Sequence, residues 1–184
     1  MADAARRLFI GIELDEDVRG ACAAVGESLR KTGFAARYES PEKLHVTLAF
    51  LGNVEASRYD EVAGALTTAV APLGAFAVVL DRLGAFPHER KPRVVYVGAR
   101  EQGAAFRALA RSVRDAYAGL GFTFETDAIA HVTIARVKES KRPLPLLELP
   151  PIDVRVGEVA LFESHFDPRS NTSRYDITAT ARLR

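Results

Sequence analysis

The chain carries the stretch LHVTLAFL at residues 44–51 and a related stretch, IAHVTIARV, at residues 129–137. Both are short, apolar and rich in β-branched side chains, and this composition predicts a strand in each. Residues two apart on a strand share a face. We therefore expect the histidine and the threonine of each stretch to point the same way, while the valine between them packs into a core.

Two imidazole–hydroxyl pairs result, His45 with Thr47 and His131 with Thr133, related by a shift of 86 residues. A lone histidine in an apolar strand is more often a hydrogen-bonded structural residue than a catalyst. Two copies with the same neighbours in the same register reverse that preference. Imidazoles can move protons and hydroxyls can hold oxygens, which suits chemistry on a phosphate. We predict one cleft built from two related halves.

Apolar periodicity divides the rest of the chain into strands and helices. The predicted strands are residues 8–14, 44–51, 76–83, 93–99, 129–137, 154–162 and 175–183, and the predicted helices are 16–32, 57–70 and 101–120. The basic segment 84–92 is predicted to be a loop, and the proline-rich segment 142–151 to be irregular. The 86-residue shift also aligns residues 7–10 with 93–96, which indicates a duplicated half-domain. We predict that residues 1–184 form one domain of two pseudo-symmetric, interlocked lobes.

Composition narrows the classes of partner. The 184 residues are 48% hydrophobic and carry 25 basic against 24 acidic side chains, so no global field attracts long duplex nucleic acid. The single cysteine, Cys22, excludes an intrachain disulfide and a cysteine-rich metal site. No signal peptide is recognisable and no apolar run is long enough to cross a bilayer. We expect a cytoplasmic monomer with no membrane partner.

Metal and covalent chemistry fit the motifs less well. Zinc sites usually take three or four protein ligands, and no carboxylate adjoins either motif histidine in sequence. We therefore predict no metal and no cofactor. Threonine is common in strands, and nucleophilic catalysis by Thr47 or Thr133 is less favoured because no third group is evident to orient each histidine. His88 and His165 lie outside the motifs and are predicted to be solvated loop residues.

Arg136 follows the second motif, where the first motif has Phe50. A guanidinium suits bidentate recognition of a phosphate. Strict alternation, however, would place Arg136 on the face opposite His131 and Thr133. It reaches the cleft only if the strand twists, bulges or ends there, and otherwise it is a surface residue at a strand end.

At these residues the chain resembles the two-histidine phosphoesterase superfamily, which is defined by a pair of His-x-Thr/Ser-x motifs. More closely, it resembles the bacterial and archaeal RNA 2′,3′-cyclic phosphodiesterases, also called 2′–5′ RNA ligase-like proteins. The segments that carry the closer resemblance are residues 7–13, 41–52, 83–87, 93–98, 131–138 and 159–164. The resemblance implies a bilobal, duplicated α+β fold, with two antiparallel sheets facing a central groove and helices outside.

The resemblance also implies an activity and a set of roles. The expected reaction is metal-independent hydrolysis of a 2′,3′-cyclic phosphate at an RNA end to a 2′-phosphomonoester. His45 would be the proton donor and His131 the proton acceptor, while Thr47, Thr133 and Arg136 would bind the substrate phosphate. The residues alone do not distinguish the two histidine roles, because the motifs are symmetric.

Two other functions stay open from the sequence. One is a phosphodiesterase acting on small cyclic nucleotides or on a cyclic ADP-ribose phosphate. The other is a non-catalytic module that binds nucleotides or RNA. The intact histidine pair argues against the second, because binding alone does not require two titratable groups.

Overall fold

The computed structural model describes residues 5–169 and 171–184, and strands and helices follow one another along this part of the chain. The strands are β1 (Ala5–Glu13), β2 (Arg37–Tyr38), β3 (His45–Glu55), β4 (Phe76–Leu80), β5 (Arg82–Phe86), β6 (Val94–Gly98), β7 (His131–Arg136), β8 (Ile152–Val156), β9 (Glu158–Asp167) and β10 (Thr172–Arg182). The helices are α1 (Glu16–Lys31), α2 (Tyr59–Val70) and α3 (Ala104–Ala118). Short 3₁₀ turns lie at Pro41–Lys43 and Ala56–Arg58.

The strands form two antiparallel sheets. The larger sheet has the order β10-β9-β1-β3-β7-β6-β5, with β2 added beside β7, and the smaller sheet pairs β4 with β8. The α+β class with two antiparallel sheets is therefore confirmed. Within the larger sheet, β3 and β7 pair through Val46 and Val132. Three strands lie on each side of this junction. On the β3 side they are β1, β9 and β10 in order, and on the β7 side β6 and β5 continue the sheet while β2 pairs with β7 alone.

The helices exchange sides across this junction. Helix α1 follows β1 in the chain but packs against β7 and β8, whereas α3 follows β6 but contacts β3 and α2. The α3 residues Phe106, Leu109, Val113 and Tyr117 are fully buried, and the Tyr117 hydroxyl donates to the carbonyl of Val62 on α2 at 2.9 Å. Each half-sheet thus depends on a helix from the other half, which favours the predicted arrangement of interlocked lobes.

Two predicted strands are broken in the structure. Segment 76–83 divides at Asp81 into β4 and β5, and segment 154–162 divides at Gly157 into β8 and β9. In both cases the chain passes from the smaller sheet to the larger one. Apolar periodicity did not reveal the corners, because both sheets pack on the same core and the pattern continues through the change of sheet.

Other boundaries also differ. β5 occupies the start of the predicted loop 84–92, and β9 and β10 extend into the turn predicted between residues 163 and 174. The two-residue strand β2 was not predicted, because it carries too few residues to show a period. None of the helices in the described residues combines the length and apolarity needed to cross a membrane.

Candidate active site

The two motif strands lie side by side at the centre of the larger sheet. Val46 and Val132 are fully buried and face each other across the antiparallel junction. The histidine and the threonine that flank each valine are partly exposed on the opposite face, which the helices do not cover. Continuing the register from the valine pair sets each motif's histidine across from the other motif's threonine. The structure thus brings all four motif side chains to one open face, as the alternation predicted.

Each imidazole is fixed by the backbone of its own chain segment. Nδ1 of His45 lies 2.6 Å from the carbonyl oxygen of Lys43, and Nδ1 of His131 lies 2.9 Å from that of Ile129. A carbonyl oxygen only accepts, so Nδ1 carries the proton in both rings and donates it. The neutral form of each ring therefore presents the lone pair of Nε2 to the open face, which is the state that a general base requires.

The two imidazoles differ at Nε2. Nε2 of His45 lies 3.1 Å from Oγ1 of Thr47, and in the neutral imidazole it accepts a hydrogen bond from that hydroxyl. Within the described residues, Nε2 of His131 makes no hydrogen bond, so its lone pair is available to a ligand or a water molecule. The two motifs are the same in sequence but are not equivalent in their hydrogen bonding.

Aromatic rings surround His45. The centroid of its ring lies 4.9 Å from that of Phe9, 5.7 Å from Phe162 and 5.2 Å from Tyr175. Gly11 makes this packing possible, because a Cβ at this position would lie 2.6 Å from the carbonyl oxygen of Val46 and 3.2 Å from the Phe162 ring. These rings hold the imidazole in place and keep water from most of its surface.

His131 has a smaller aromatic wall. Its ring centroid lies 5.2 Å from Phe86 and 5.3 Å from Tyr96, both in edge-on geometry. The Tyr96 ring crosses above Gly84, where a Cβ would lie 2.5 Å from the nearest ring carbon. Glycine is therefore required at this position if the Tyr96 ring is to pack over Gly84 and meet His131 edge-on.

Burial lowers the pKa of both imidazoles. For His45 the desolvation effect is opposed by the Lys43 carbonyl and by the Glu39 carboxylate, and is reinforced by the positive charges of His131 and Arg136. For His131 only the Ile129 carbonyl opposes burial. Both rings are therefore held neutral to a lower pH than an ordinary histidine. A bound phosphate dianion or monoanion would favour protonation again, because it places a negative charge beside Nε2.

The lowered pKa values predict a pH dependence of stability. In the unfolded chain both histidines take up protons as the pH falls through about 6.5, whereas in the folded chain they resist protonation. The unfolded state then binds more protons, so the free energy of unfolding decreases as the pH falls below about 6.5. We expect urea denaturation at about pH 7.5 and about pH 5.5 to show a larger decrease for the wild type than for a His45→Asn/His131→Asn double variant.

A His88→Asn variant is the control for this measurement, because that side chain lies in an exposed turn away from the motifs. It should lose as much stability as the wild type on acidification. An equal loss in the double variant would mean that the motif imidazoles are not the groups that resist protonation.

A bulge follows the motif in both strands. In the pairing of β1 with β3, Leu48 is an extra residue on β3 without a partner on β1. In the pairing of β6 with β7, Ile134 is an extra residue on β7 without a partner on β6. An extra residue reverses the alternation beyond it. Phe50 and Arg136 consequently come onto the face that carries the motif histidines. The bulge that Arg136 required to reach the cleft is thus present, at the same place in both halves.

Arg136 is held at the edge of this face by Glu39. Nε of Arg136 lies 3.0 Å from Oε1 of Glu39, with the arginine side chain 49% exposed and the glutamate side chain 15% exposed. The Glu39 N–H donates to the carbonyl of Ile134, the extra residue of the bulge, at 2.9 Å. The bulge thus positions both partners of the ion pair. Arg37 also approaches Glu39, at 3.9 Å.

The other two histidines lie outside this arrangement. His88 lies in the turn between β5 and β6, and its Nδ1 accepts the backbone N–H of Lys91 at 3.2 Å. His165 was predicted to lie in a loop, but in the structure it lies on β9. Its Nε2 lies 3.3 Å from Oδ2 of Asp176 and 3.8 Å from Oε2 of Glu163. The prediction for His165 failed because the hairpin strands extend further than the turn-forming residues indicated.

Sequence reasoning missed the side chains that surround the motif histidines, among them Phe9, Tyr175 and Glu39. Phe9 gave a signal, because it is an aromatic residue between the inward-facing Leu8 and Ile10 and so belongs to the opposite face. Tyr175 and Glu39 gave none, because they approach His45 from segments distant along the chain or outside any periodic pattern. In the described residues, no group of three or more histidine, cysteine, aspartate or glutamate side chains is placed to hold a metal ion.

Comparison with known proteins extends these observations. Residues 18–168 match the 2'-5' RNA ligase superfamily. The RNA 2',3'-cyclic phosphodiesterase of Thermotoga maritima is 31% identical over 88% of this chain and 88% of its own length. That of Methanothermobacter thermautotrophicus is 30% identical over 88% of this chain and 91% of its own.

Comparison with solved structures also finds phosphoesterases with a similar fold. The crystal structure of E. coli LigT complexed with 3'-AMP superposes with a TM-score of 0.76 at 25% identity, covering 97% of this chain and 98% of that one. A crystal structure described as a phosphoesterase superposes equally well, at 26% identity and over the same shares of both chains. The chain belongs to the 2'-5' RNA ligase superfamily.

Proposed function

We propose that this protein hydrolyses the 2′,3′-cyclic phosphate at an RNA end to a 2′-phosphomonoester by metal-independent acid–base catalysis. One observation carries the proposal: two imidazoles on one open face each present Nε2 outward, with Nδ1 fixed by a backbone carbonyl. The relatives named RNA 2',3'-cyclic phosphodiesterase support the choice of substrate. Pseudo-symmetric halves support the choice of mechanism, because in-line displacement needs a base and an acid on opposite sides of phosphorus.

The reaction needs only water and two proton transfers. His131, neutral, takes a proton from a water molecule as its oxygen attacks phosphorus. The new P–O bond forms while the P–O3′ bond breaks, and His45, protonated, gives its proton to the departing O3′. The free Nε2 of His131 supports its role as acceptor. Burial lowers the pKa of His45, but the Glu39 carboxylate partly opposes this effect, and the charge of a bound phosphate would oppose it further, which supports the role of His45 as donor.

The remaining predicted residues would stabilise the phosphate. Negative charge grows on the non-bridging oxygens as water adds, and fixed donors that meet this charge lower the barrier. The hydroxyls of Thr47 and Thr133, which lie on the same open face as the two imidazoles, would donate to these oxygens. Arg136 would donate from the edge, where it exchanges Glu39 for a phosphate oxygen.

A small cyclic nucleotide is the second candidate substrate. The LigT structure complexed with 3'-AMP supports it, because a mononucleotide occupies that relative. The same cleft chemistry would apply, so only turnover with each substrate separates the two. A non-catalytic module that binds nucleotides or RNA would bind both and hydrolyse neither. The cytoplasmic location and the monomeric state stay predictions from the sequence.

The product tests the proposal. A cyclic phosphate can open at either ester bond, and an orientation fixed by Arg136 on one side only should allow one of them. With an oligoribonucleotide ending in a 2′,3′-cyclic phosphate, in buffer containing EDTA, we expect a 2′-phosphate alone. The rate should follow a bell-shaped pH profile with one limb for each histidine.

Phosphorus NMR and chromatography against authentic 2′- and 3′-phosphates identify the product. A 3′-phosphate, or a mixture, would contradict the proposed orientation and the roles of the histidines. Activity that disappears with EDTA and returns with a divalent metal would contradict the metal-independent mechanism.

A further inference from the structure

Glu39 places a negative charge at the edge of a cleft that is proposed to bind an anion. Its carboxylate accepts a hydrogen bond from Nε of Arg136 at 3.0 Å and lies 3.9 Å from a terminal nitrogen of Arg37. The glutamate side chain is 15% exposed, whereas the two arginine side chains are about half exposed. The carboxylate is therefore the least solvated charge of the three.

The backbone anchors Glu39 independently of this ion pair. Its N–H donates to the carbonyl of Ile134 at 2.9 Å. The two residues before it form β2, which pairs with the end of β7 through Arg37 and Arg136 and through Tyr38 and Ala135. The carboxylate consequently stays within a side chain's length of Arg136 when a ligand takes the guanidinium.

The charge of Glu39 acts across the open face. Burial lowers the pKa of His45, and the Glu39 carboxylate opposes that effect. Burial raises the pKa of Tyr175, and the Glu39 carboxylate raises it further. His45 lies on β3 and Tyr175 on β10, so the influence of the carboxylate extends over two strands beyond its own segment. A phosphate held between His45 and Arg136 would lie within the same field.

Hydrolysis of a cyclic phosphate changes the charge of the ligand. A cyclic diester has one ionised oxygen, whereas the monoester that it becomes loses a second proton near pH 6 and carries about two negative charges at neutral pH. Repulsion from a fixed carboxylate increases in proportion to the ligand's charge. A negative charge at this edge therefore disfavours the product more than the substrate.

We infer that Glu39 makes the cleft selective for the singly charged cyclic phosphate over the doubly charged product. This inference rests on the proposed function, since it takes the phosphate to contact Arg136. Competition between the carboxylate and the ligand for Arg136 weakens every phosphate ligand alike. Repulsion of the second negative charge weakens the monoester alone. Glu39 thus limits inhibition by the product and favours its release.

The test uses two ligands that differ in charge and need no turnover. These are 3′-deoxyadenosine 2′-monophosphate and its methyl ester, which carry about two negative charges and one at about pH 7.5. Neither can form a cyclic phosphate, because the 3′-hydroxyl is missing. Turnover would be a mixed readout, because Glu39 also acts on His45. Calorimetry therefore measures the Kd of each ligand for the wild type and for Glu39→Gln.

Glu39→Gln removes the charge but keeps an oxygen that can accept from Nε of Arg136. An interaction between partly exposed charges changes binding by about threefold for each unit of charge. We expect Glu39→Gln to lower the Kd of the monoester about 10-fold and that of the methyl ester about 3-fold. Each ligand is compared only with itself, so the contacts of the methyl group do not affect the comparison.

Glu42→Gln is the matched control. It removes an equal charge from the same segment, but the Glu42 carboxylate accepts from the hydroxyl of Ser40 and not from Arg136. Both Kd values should stay near the wild type in this variant. Equal tightening of the two ligands by Glu39→Gln, no tightening of either, or the same selectivity in Glu42→Gln would overturn the inference. The expected selectivity without hydrolysis of a cyclic phosphate would support it and contradict the proposed function.

Discussion

Replacement of either motif histidine by alanine is expected to lower kcat/KM for an RNA 2′,3′-cyclic phosphate by about 10²- to 10⁴-fold. In the proposed mechanism each imidazole transfers a proton, and we expect no neighbouring group to replace it. Among the described residues, only His45 and His131 present an imidazole nitrogen, Nε2 in each case, on the open face that carries the motifs. Both variants should fold, because the buried valine of each motif and the surrounding strand pairs remain. Circular dichroism and thermal unfolding check that condition.

The two other histidines provide matched controls. His88→Ala and His165→Ala remove the same side chain from an exposed turn and from the outer part of β9. Both should keep near wild-type turnover, although His165 also loses its contacts with Asp176 and Glu163. A double variant at His45 and His131 should be little slower than either single one, because both proton transfers belong to one displacement. Near-normal turnover by either single motif variant would refute the assignment.

The local part of the fold was predictable from the sequence. The three helices and both motif strands have strong periods, and their existence follows from burial of one face. The corners at Asp81 and Gly157 were not predictable in this way, because both flanking strands are apolar toward the same core. The exchange of α1 and α3 between halves was also out of reach, since it depends on packing between segments distant in sequence.

The candidate site was likewise predictable only where it depends on the pattern within one strand. The four motif residues follow from alternation within one strand, and the duplication makes their pattern specific. Phe50 and Arg136 depend on a bulge, which inserts one residue without changing the sequence pattern around it. The rings around His45 come from three strands, and Glu39 comes from a segment with no period at all. Alternation therefore identified the residues that contact one another within a strand, and missed those that the sheet brings together.

Replacement of Arg136 by alanine is expected to produce the second large effect. A charge-assisted hydrogen bond contributes about 1.5–3 kcal/mol, and the exposure of this side chain places the contact near the lower limit. We therefore expect Arg136→Ala to weaken the binding of a 2′-phosphate product by about 10-fold, with a loss of turnover at least as large. Arg136→Lys should recover only part of both, because an ammonium cannot make the planar, bidentate contact.

Arg37 supplies the matched control. It lies beside Arg136 on β2, approaches the same carboxylate and is 58% exposed, so Arg37→Ala removes an equal charge from almost the same place. If Arg136 contacts the phosphate directly, Arg136→Ala should weaken phosphate binding clearly more than Arg37→Ala does. If the local field alone attracts the phosphate, the two variants should behave alike, and 0.5 M salt, about three times the physiological level, should abolish both effects. Equal effects of the two variants would identify Arg136 as a surface residue at a strand end, paired with Glu39 and without a direct contact to the phosphate.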